Sequence, residues 1–200
     1  MKVFLDAHIH TNSSPDSSIN PSQLLERAVA TGLNAIAIVD HDTMNGYKRI
    51  KHSALFSEFL IVPGVEVTTD LGEIAILGLE EPMIAKDPYE VVDSARQAGG
   101  LIFAPHPFDM RRVSLHEKCS LLNLDAIETV NGKCSNDANR QAKEFAKALG
   151  LPSIGGSDAH EKGQIGMVVN MIECEKKLDA VLAGLRKGAK ILVRQKGGRY

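Results

Sequence analysis

A chain of 200 residues is about one domain long, and at that length roughly 70% of the surface exposed by the unfolded chain can be buried. Hydrophobic residues make up 44% and charged residues 24%, which excludes the disordered, collagen-like and disulfide-scaffold classes. With 23 Lys and Arg against 25 Asp and Glu the net charge is −2, so composition gives no support to a non-specific nucleic-acid binder, which needs a basic excess to release counterions.

The three cysteines, Cys119, Cys134 and Cys174, are odd in number and form no CxxC pair. They indicate neither a disulfide framework nor a thiolate metal site and fit a reducing, cytoplasmic setting. The start MKVFLDAHIH lacks a signal-peptide core, and no apolar run approaches a membrane span. The expectation is one soluble domain over residues 1–200, with no membrane partner.

In chain order, the first apolar run is Val3 to Leu5. Asn20 and Pro21 then read as a helix cap and first helical residue, Leu24, Leu25, Ala28 and Val29 form a stripe, and Gly32 stops it. Runs at Ala35 to Val39, Leu60 to Val62 and Ile74 to Leu77 follow. Next come a helical segment from Tyr89 to Ala98 closed by Gly99 and further runs at Leu101 to Ala104 and Ala126 to Val130. Ala138, Ala142, Phe145, Ala146 and Leu149 repeat the helical stripe up to Gly150, and Ser153 to Ile154 is the last, weaker run. Unalternating runs of this length fit strands covered on both faces, and their alternation with helices predicts a parallel sheet in an α/β fold. No GxGxxG follows the first strand, against a dinucleotide-binding sheet. Periodicity leaves an open sheet and a closed barrel both standing.

The chemistry sits at the strand ends. The first ends in Asp6, His8 and His10, the second in Asp40, His41 and Asp42, the third in Glu66, a later one in His106, and the last in Asp158 and His160. In parallel α/β folds these ends share one side of the sheet, where distant residues converge. Residues i and i+2 of a strand point the same way about 6.6 Å apart, so His8 with His10, and Asp158 with His160, can grip one ion or two neighbouring ions. Asp16 lies in a Ser/Pro/Asn-rich loop able to fold back over them. Imidazole and carboxylate without thiolate suit zinc, manganese or iron. Taken singly, each has a plain alternative: a hydrogen-bonded histidine, Asp40 or Asp42 as a helix cap, Glu66 paired with a lysine. Chance placement at several independent strand ends is what the set argues against. For His52 and His116, in polar helical or loop stretches, the plain alternative of a hydrogen-bonded structural histidine is kept.

The strings DAHIHTNSSPDS, AIVDHDTMNGY, PGVEVTT, APHPFD and GGSDAH, in this order from residue 6 to residue 160, resemble the metal-binding motifs of the PHP (polymerase and histidinol phosphatase) family. The resemblance implies a small distorted (β/α)7 TIM-like barrel of parallel strands and a site of two or three divalent ions that hydrolyses phosphate esters. The ligands it implies by motif position are His8, His10, Asp16, His41, Glu66, His106, Asp158 and His160. One departure stands out: in LGEIAILGL, Glu73 occupies the place where many relatives supply a histidine, so either Glu73 ligates instead or a third ion is absent or weak.

The expected chemistry is attack on phosphorus by hydroxide held between two ions. Arg111 and Arg112, just beyond His106, are candidates for binding the phosphate, and Lys133 is a weaker one. Small phosphomonoesters, nucleotide-like or histidinol-phosphate-like, are the expected substrates, and a phosphodiester or oligonucleotide end is the alternative. Two competitors differ in class. Amidohydrolases also begin with HxH but use a mid-chain lysine and a lone late Asp, and a non-catalytic metal-holding module would be expected to have lost ligands.

Overall fold

The apolar runs become strands and the capped segments become helices. The structure, a computed structural model, describes residues 1–83 and 85–194, so that residue 84 and residues 195–200 of the 1–200 span lie outside the described residues. The order is β1 (Lys2–Ile9), α1 (Pro21–Ala30), β2 (Ala35–Ile38), α2 (Asn45–Ile50), β3 (Leu60–Thr68), β4 (Glu73–Leu77), α3 (Pro88–Gln97), β5 (Leu101–Ala104), β6 (Ala126–Asn131), α4 (Asn136–Leu149), β7 (Ser153–Gly156), β8 (Val168–Glu173), α5 (Leu178–Lys187) and β9 (Lys190–Val193). Asn20 caps α1 in a reciprocal pair with Gln23, and α4 ends at the left-handed Gly150. None of these helices is long and apolar enough to cross a membrane.

The strands form one sheet in the order β7-β6-β5-β4-β3-β2-β1-β8-β9. Two strands run against the rest: β4 is antiparallel to β3 and β5, and β8 is antiparallel to β1 and β9. Residues 69–72 between β3 and β4 are too few for a crossover, so the chain turns back on itself as a hairpin. The sheet curls until its far edge meets β1. His10 N–H donates to Ala159 O at 3.0 Å and Ala159 N–H to His8 O at 3.3 Å, which closes the upper rim just beyond β7. Below this, buried Asn170 of β8 fills the seam. Its Oδ1 accepts from Gly155 N–H at 2.9 Å, while its Nδ2 donates to Gly155 O at 2.6 Å and to Leu5 O at 3.3 Å.

Alternation sorts the strands' residues into two layers. Val3, Leu5, Ala7, Ala35, Ala37, Val39, Val62, Ala75, Leu77, Leu101, Phe103, Ala126 and Ile154 pack together inside, closed at one end by Val181, Leu182 and Leu185 of α5. Ile36, Ile38, Val65, Ile74, Ile76, Ile102 and Ile127 face outward onto the helices. A barrel of so few strands is narrow, hence the many inner alanines. At Gly64 even a Cβ would lie 2.8 Å from Ile76 O and from Val39 Cγ1.

Asn170→Ala strips three buried hydrogen bonds from the seam. It is expected to destabilise the protein by about 2–4 kcal/mol in denaturant titrations, and an unchanged midpoint would show that the seam is held elsewhere.

Candidate metal centre

At one end of the barrel the inner layer turns from alanine to imidazole and carboxylate. Pairing of β1 with β2 slips between Asp6 and Ile9, so Ala7 faces the inner core and Ile9 the outer one and both His8 and His10 turn inward. Asp6 pins the slip. Its Oδ1 accepts from Ser157 N–H at 3.0 Å and His8 N–H at 3.3 Å, and its Oδ2 accepts from Gly166 N–H at 2.8 Å. Burial pushes the Asp6 carboxyl up to about 6, against those hydrogen bonds. Glu66 shares the inner face of β3 with Val62 and Gly64, and Glu73 that of β4 with Ala75. His106 and Asp158 follow β5 and β7 at positive φ, 30° and 55°, a strained backbone for such residues.

The structure brings these residues together. His8 Nε2 and His10 Nε2 lie 3.0 Å apart. Glu66 Oε2 is 3.2 Å from His41 Nδ1, 3.3 Å from His10 Nε2 and 3.6 Å from His8 Nε2, while its Oε1 is 3.1 Å from His106 Nε2. Asp158 Oδ1 is 3.4 Å from His160 Nδ1, 3.6 Å from His10 Nε2 and 3.7 Å from His8 Nε2. Half-exposed Asp16 closes the outer side, its Oδ2 2.9 Å from His160 Nε2 and 3.6 Å from His41 Nε2. Glu73 enters too, 3.8 Å from His41 Nδ1 and 3.7 Å from His106 Nε2. Donor atoms within 4.8 Å of one another form four overlapping sets: His10, His41, His160; His8, Glu66, His106; His8, His10, Asp158; and His41, Glu66, Glu73.

The outward nitrogens of three rings are occupied. His8 Nδ1 meets Glu128 Oε1 at 2.9 Å, and His10 Nδ1 and His106 Nδ1 meet the hydroxyls of Ser14 and Ser114, each at 3.3 Å. Their Nε2 lone pairs are thereby free to face the centre. Burial by itself would raise Glu66 and Asp158, but the His8 and His106 rings outweigh it and hold both carboxyls below their ordinary range. Burial likewise opposes charge on His8, yet Glu128, Asp158 and Glu66 keep its pKa well above the usual histidine value, whereas His10 is held well below it. Burial and the neighbouring Glu66 push Glu73 up to about 7.

Two buried oxygens, Glu66 Oε2 and Asp158 Oδ1, accept no well-formed hydrogen bond from any described group of the protein. A carboxylate oxygen left so is costly unless a cation meets it. Together with nitrogen and oxygen donors from six loops or strands and no thiolate, this fits divalent transition-metal ions.

The remaining sequence candidates divide. Arg112 reaches inward, its Nη1 on Asp158 Oδ2 and its Nε 3.4 Å from Asp109 Oδ2. Arg111 turns outward, 69% exposed, and its guanidinium is tied to Asp109 and to Lys133 O. Lys133 Nζ lies 3.1 Å from His160 Nδ1. Asp40 caps no helix: its carboxylate accepts from Thr11 N–H, Thr11 Oγ1 and Ser14 Oγ and braces the loop after β1. Asp42 accepts from Thr68 N–H. His52 is exposed, and His116 stacks edge-on against Phe108 at 6.2 Å. Sequence reasoning missed Glu128, Asn131, Ser14, Ser114 and Asp109. For Glu128 there was a signal, since a lone carboxylate inside the run AIETV shares its strand face with Ala126.

Residues 6–104 match the PHP domain family and residues 136–189 the family described as PHP-associated. An uncharacterized protein of Methanocaldococcus jannaschii is 33% identical over 175 residues, covering 83% of this chain and 68% of that protein. A 5'-3' exoribonuclease of Haemophilus influenzae is 35% identical over 185 residues, 84% of this chain and 63% of its own length. A Bacteroides vulgatus two-domain protein, described as containing a predicted PHP-like metal-dependent phosphoesterase, superposes with a TM-score of 0.83 at 19% identity, over 96% of this chain and 65% of that one. This chain thus spans under two thirds of the exoribonuclease and of the Bacteroides protein, and at 19% identity the latter likeness is one of fold. By the matched segments and by its identity to the methanogen protein along most of both chains, this chain belongs to the PHP family.

Proposed function

We propose that the protein is a metal-dependent phosphoesterase that hydrolyses small phosphomonoesters of the nucleotide or histidinol-phosphate kind. The observation that carries this reading is the pair of buried oxygens without a well-formed hydrogen bond, Glu66 Oε2 and Asp158 Oδ1, set among five imidazoles. In this reading His8, His10, Asp16, His41, Glu66, His106, Asp158 and His160 hold the ions, with Glu73 as a further ligand, and two or three of manganese, zinc or iron are bound. When bound, such ions lower the pKa of a water molecule towards 7 and offset the charge of phosphoryl oxygens.

The chain's own groups do the rest. Arg112, steadied by Asp109 and Asp158, and Lys133, beside His160, put two cations on one flank of the cluster, which suits the dianionic end of a monoester. No side-chain nucleophile is called for. Burial and the nearby carboxylates of Glu128 and Asp109 raise the Cys134 thiol, keeping it protonated. Ser14 Oγ is committed to Asp40 and to His41 N–H. A second reading, a phosphodiester or an oligoribonucleotide end, is favoured by the exoribonuclease name of the Haemophilus relative.

The deciding experiment compares p-nitrophenyl phosphate, a nucleoside monophosphate, bis-p-nitrophenyl phosphate, a 5'-phosphorylated oligoribonucleotide and an acyl-amide panel, each with added Mn²⁺. Fastest turnover of the monoesters is expected. Preference for the diester or oligonucleotide would establish the second reading, and turnover of amides alone, or of nothing, would sink both.

Elemental analysis after reconstitution is expected to give at least two ions per chain, because the ligands named exceed what one ion of four to six coordination can use. His10→Ala and Asp158→Ala should each cut kcat more than about tenfold, or 1.4 kcal/mol, with an unchanged far-UV spectrum. Arg112→Ala should lower kcat as well as raise KM, since its contact strengthens as charge develops on the transferring group. Arg111→Ala should leave metal content unchanged and kcat within about threefold of wild type, and equal losses for both arginines would overturn this proposed division of roles.

A further inference from the structure

Glu128 is a fully buried carboxylate in the middle of a strand, and it belongs to none of the sets of donor atoms at the centre. Such a group is expensive to bury unless donors surround it. Three do, and each leads to a different residue of the cluster. Glu128 Oε1 lies 2.9 Å from His8 Nδ1. Its Oε2 accepts from His106 N–H at 2.7 Å and from Asn131 Nδ2 at 2.9 Å. Asn131 Nδ2 in turn donates to Asp158 Oδ2 at 3.0 Å. A single carboxylate on β6 thus meets the backs of residues from β1 and from the turn after β5 directly, and through Asn131 that of Asp158 in the turn after β7. It also supplies the acceptor that holds His106 at its positive φ of 30°.

Gly156 makes room for this. A Cβ there would lie 2.4 Å from Glu128 Oε1 and 2.3 Å from His8 Cβ, so any side chain would wedge the two apart.

We infer that Glu128 is a positioning residue: it fixes His8 with its proton on Nδ1 and its lone pair on Nε2 facing the centre, and ties His106 and Asp158 into the same register. The inference rests on the reading of His8, His106 and Asp158 as ligands. General chemistry supports it, since a ligating imidazole whose other N–H is given to a carboxylate is held in one tautomer and made a better donor.

The substitution that tests it is Glu128→Gln, nearly the same in shape. Glu128 faces only donors, one on Oε1 and two on Oε2, whereas a glutamine offers one oxygen and one NH2, so either orientation sets donor against donor. Mn²⁺ titrated into the metal-free protein by calorimetry should bind about 10- to 100-fold more weakly to this variant. Glu128→Asp, which keeps the charge, should recover part of the loss. In the Zn²⁺-loaded wild type, long-range ¹H–¹⁵N spectra should show His8 with its proton on Nδ1. Mn²⁺ affinity of Glu128→Gln within about threefold of wild type, or His8 metallated through Nδ1, would overturn the inference. Should neither variant fold, the wild-type spectrum decides alone. Wild type that takes up no Mn²⁺ overturns both this and the proposed function. Uptake without hydrolysis overturns only the activity, and equal uptake by wild type and Glu128→Gln overturns only the role of Glu128.

Discussion

Two carboxylate oxygens to which no described group of the protein gives a well-formed hydrogen bond, Glu66 Oε2 and Asp158 Oδ1, are the constraint around which the upper barrel is arranged. Negative charge without water or a donor is unstable in a protein interior, and here it is balanced by proximity to imidazoles held in place from behind. Ser14, Ser114 and Glu128 occupy the outward nitrogens of His10, His106 and His8. The same serines also bind backbone: Ser14 Oγ accepts from His41 N–H, and Ser114 Oγ donates to His106 O. Side-chain orientation and loop shape are therefore set by one network, and removing any member loosens both.

That network needs a narrow, closed scaffold. The inner layer is rich in alanine because the ring of β1 to β7, the β3–β4 hairpin included, leaves little bore, and α5 fills the opposite end. Closure between the ends of β7 and β1 is made backbone to backbone at the rim, by the bonds of Ala159 with His10 and His8, next to the cluster itself. Lower down, Asn170 replaces the missing strand-to-strand bonds. The antiparallel β8 thereby enters beside β1 without opening the site.

Charge is distributed unevenly about the centre. Asp16 lies on the outer side near His41 and His160, while Arg112 and Lys133 approach from the loops after β5 and β6. Asp109 organises that flank. It sits between Arg111 and Arg112, and the hydrogen bonds from Arg111 hold its carboxyl down at about 2. The two adjacent arginines separate because one carboxylate bridges them, with Arg111 anchored over Lys133 O and Arg112 directed at Asp158.

The sequence by itself determined the runs that form β1 to β7, the capped helices α1, α3 and α4, and the residues that gather at the strand ends, because these depend on local periodicity and on side-chain types that recur where parallel strands finish. It also carried the family, through five ordered motifs. Tertiary structure decided what local pattern cannot encode. The run that becomes β4 fits the parallel sheet the pattern predicts, yet it reverses because residues 69–72 allow only a hairpin, and β8 and β9, which no apolar run announced, take their places by pairing with β1 and with each other. The slip in β1 that turns His8 and His10 inward depends on Asp6 meeting Ser157 and Gly166, residues some 150 positions away. Arg111 and Arg112 are interchangeable in sequence until Asp109 and Asp158 take their places. Glu128 finds Asn131 on its own strand, but it acquires His8 and His106 only when β1 and the turn after β5 are assembled beside β6, because hydrogen bonds between distant segments are fixed by the closed barrel and not by the neighbours of each residue along the chain.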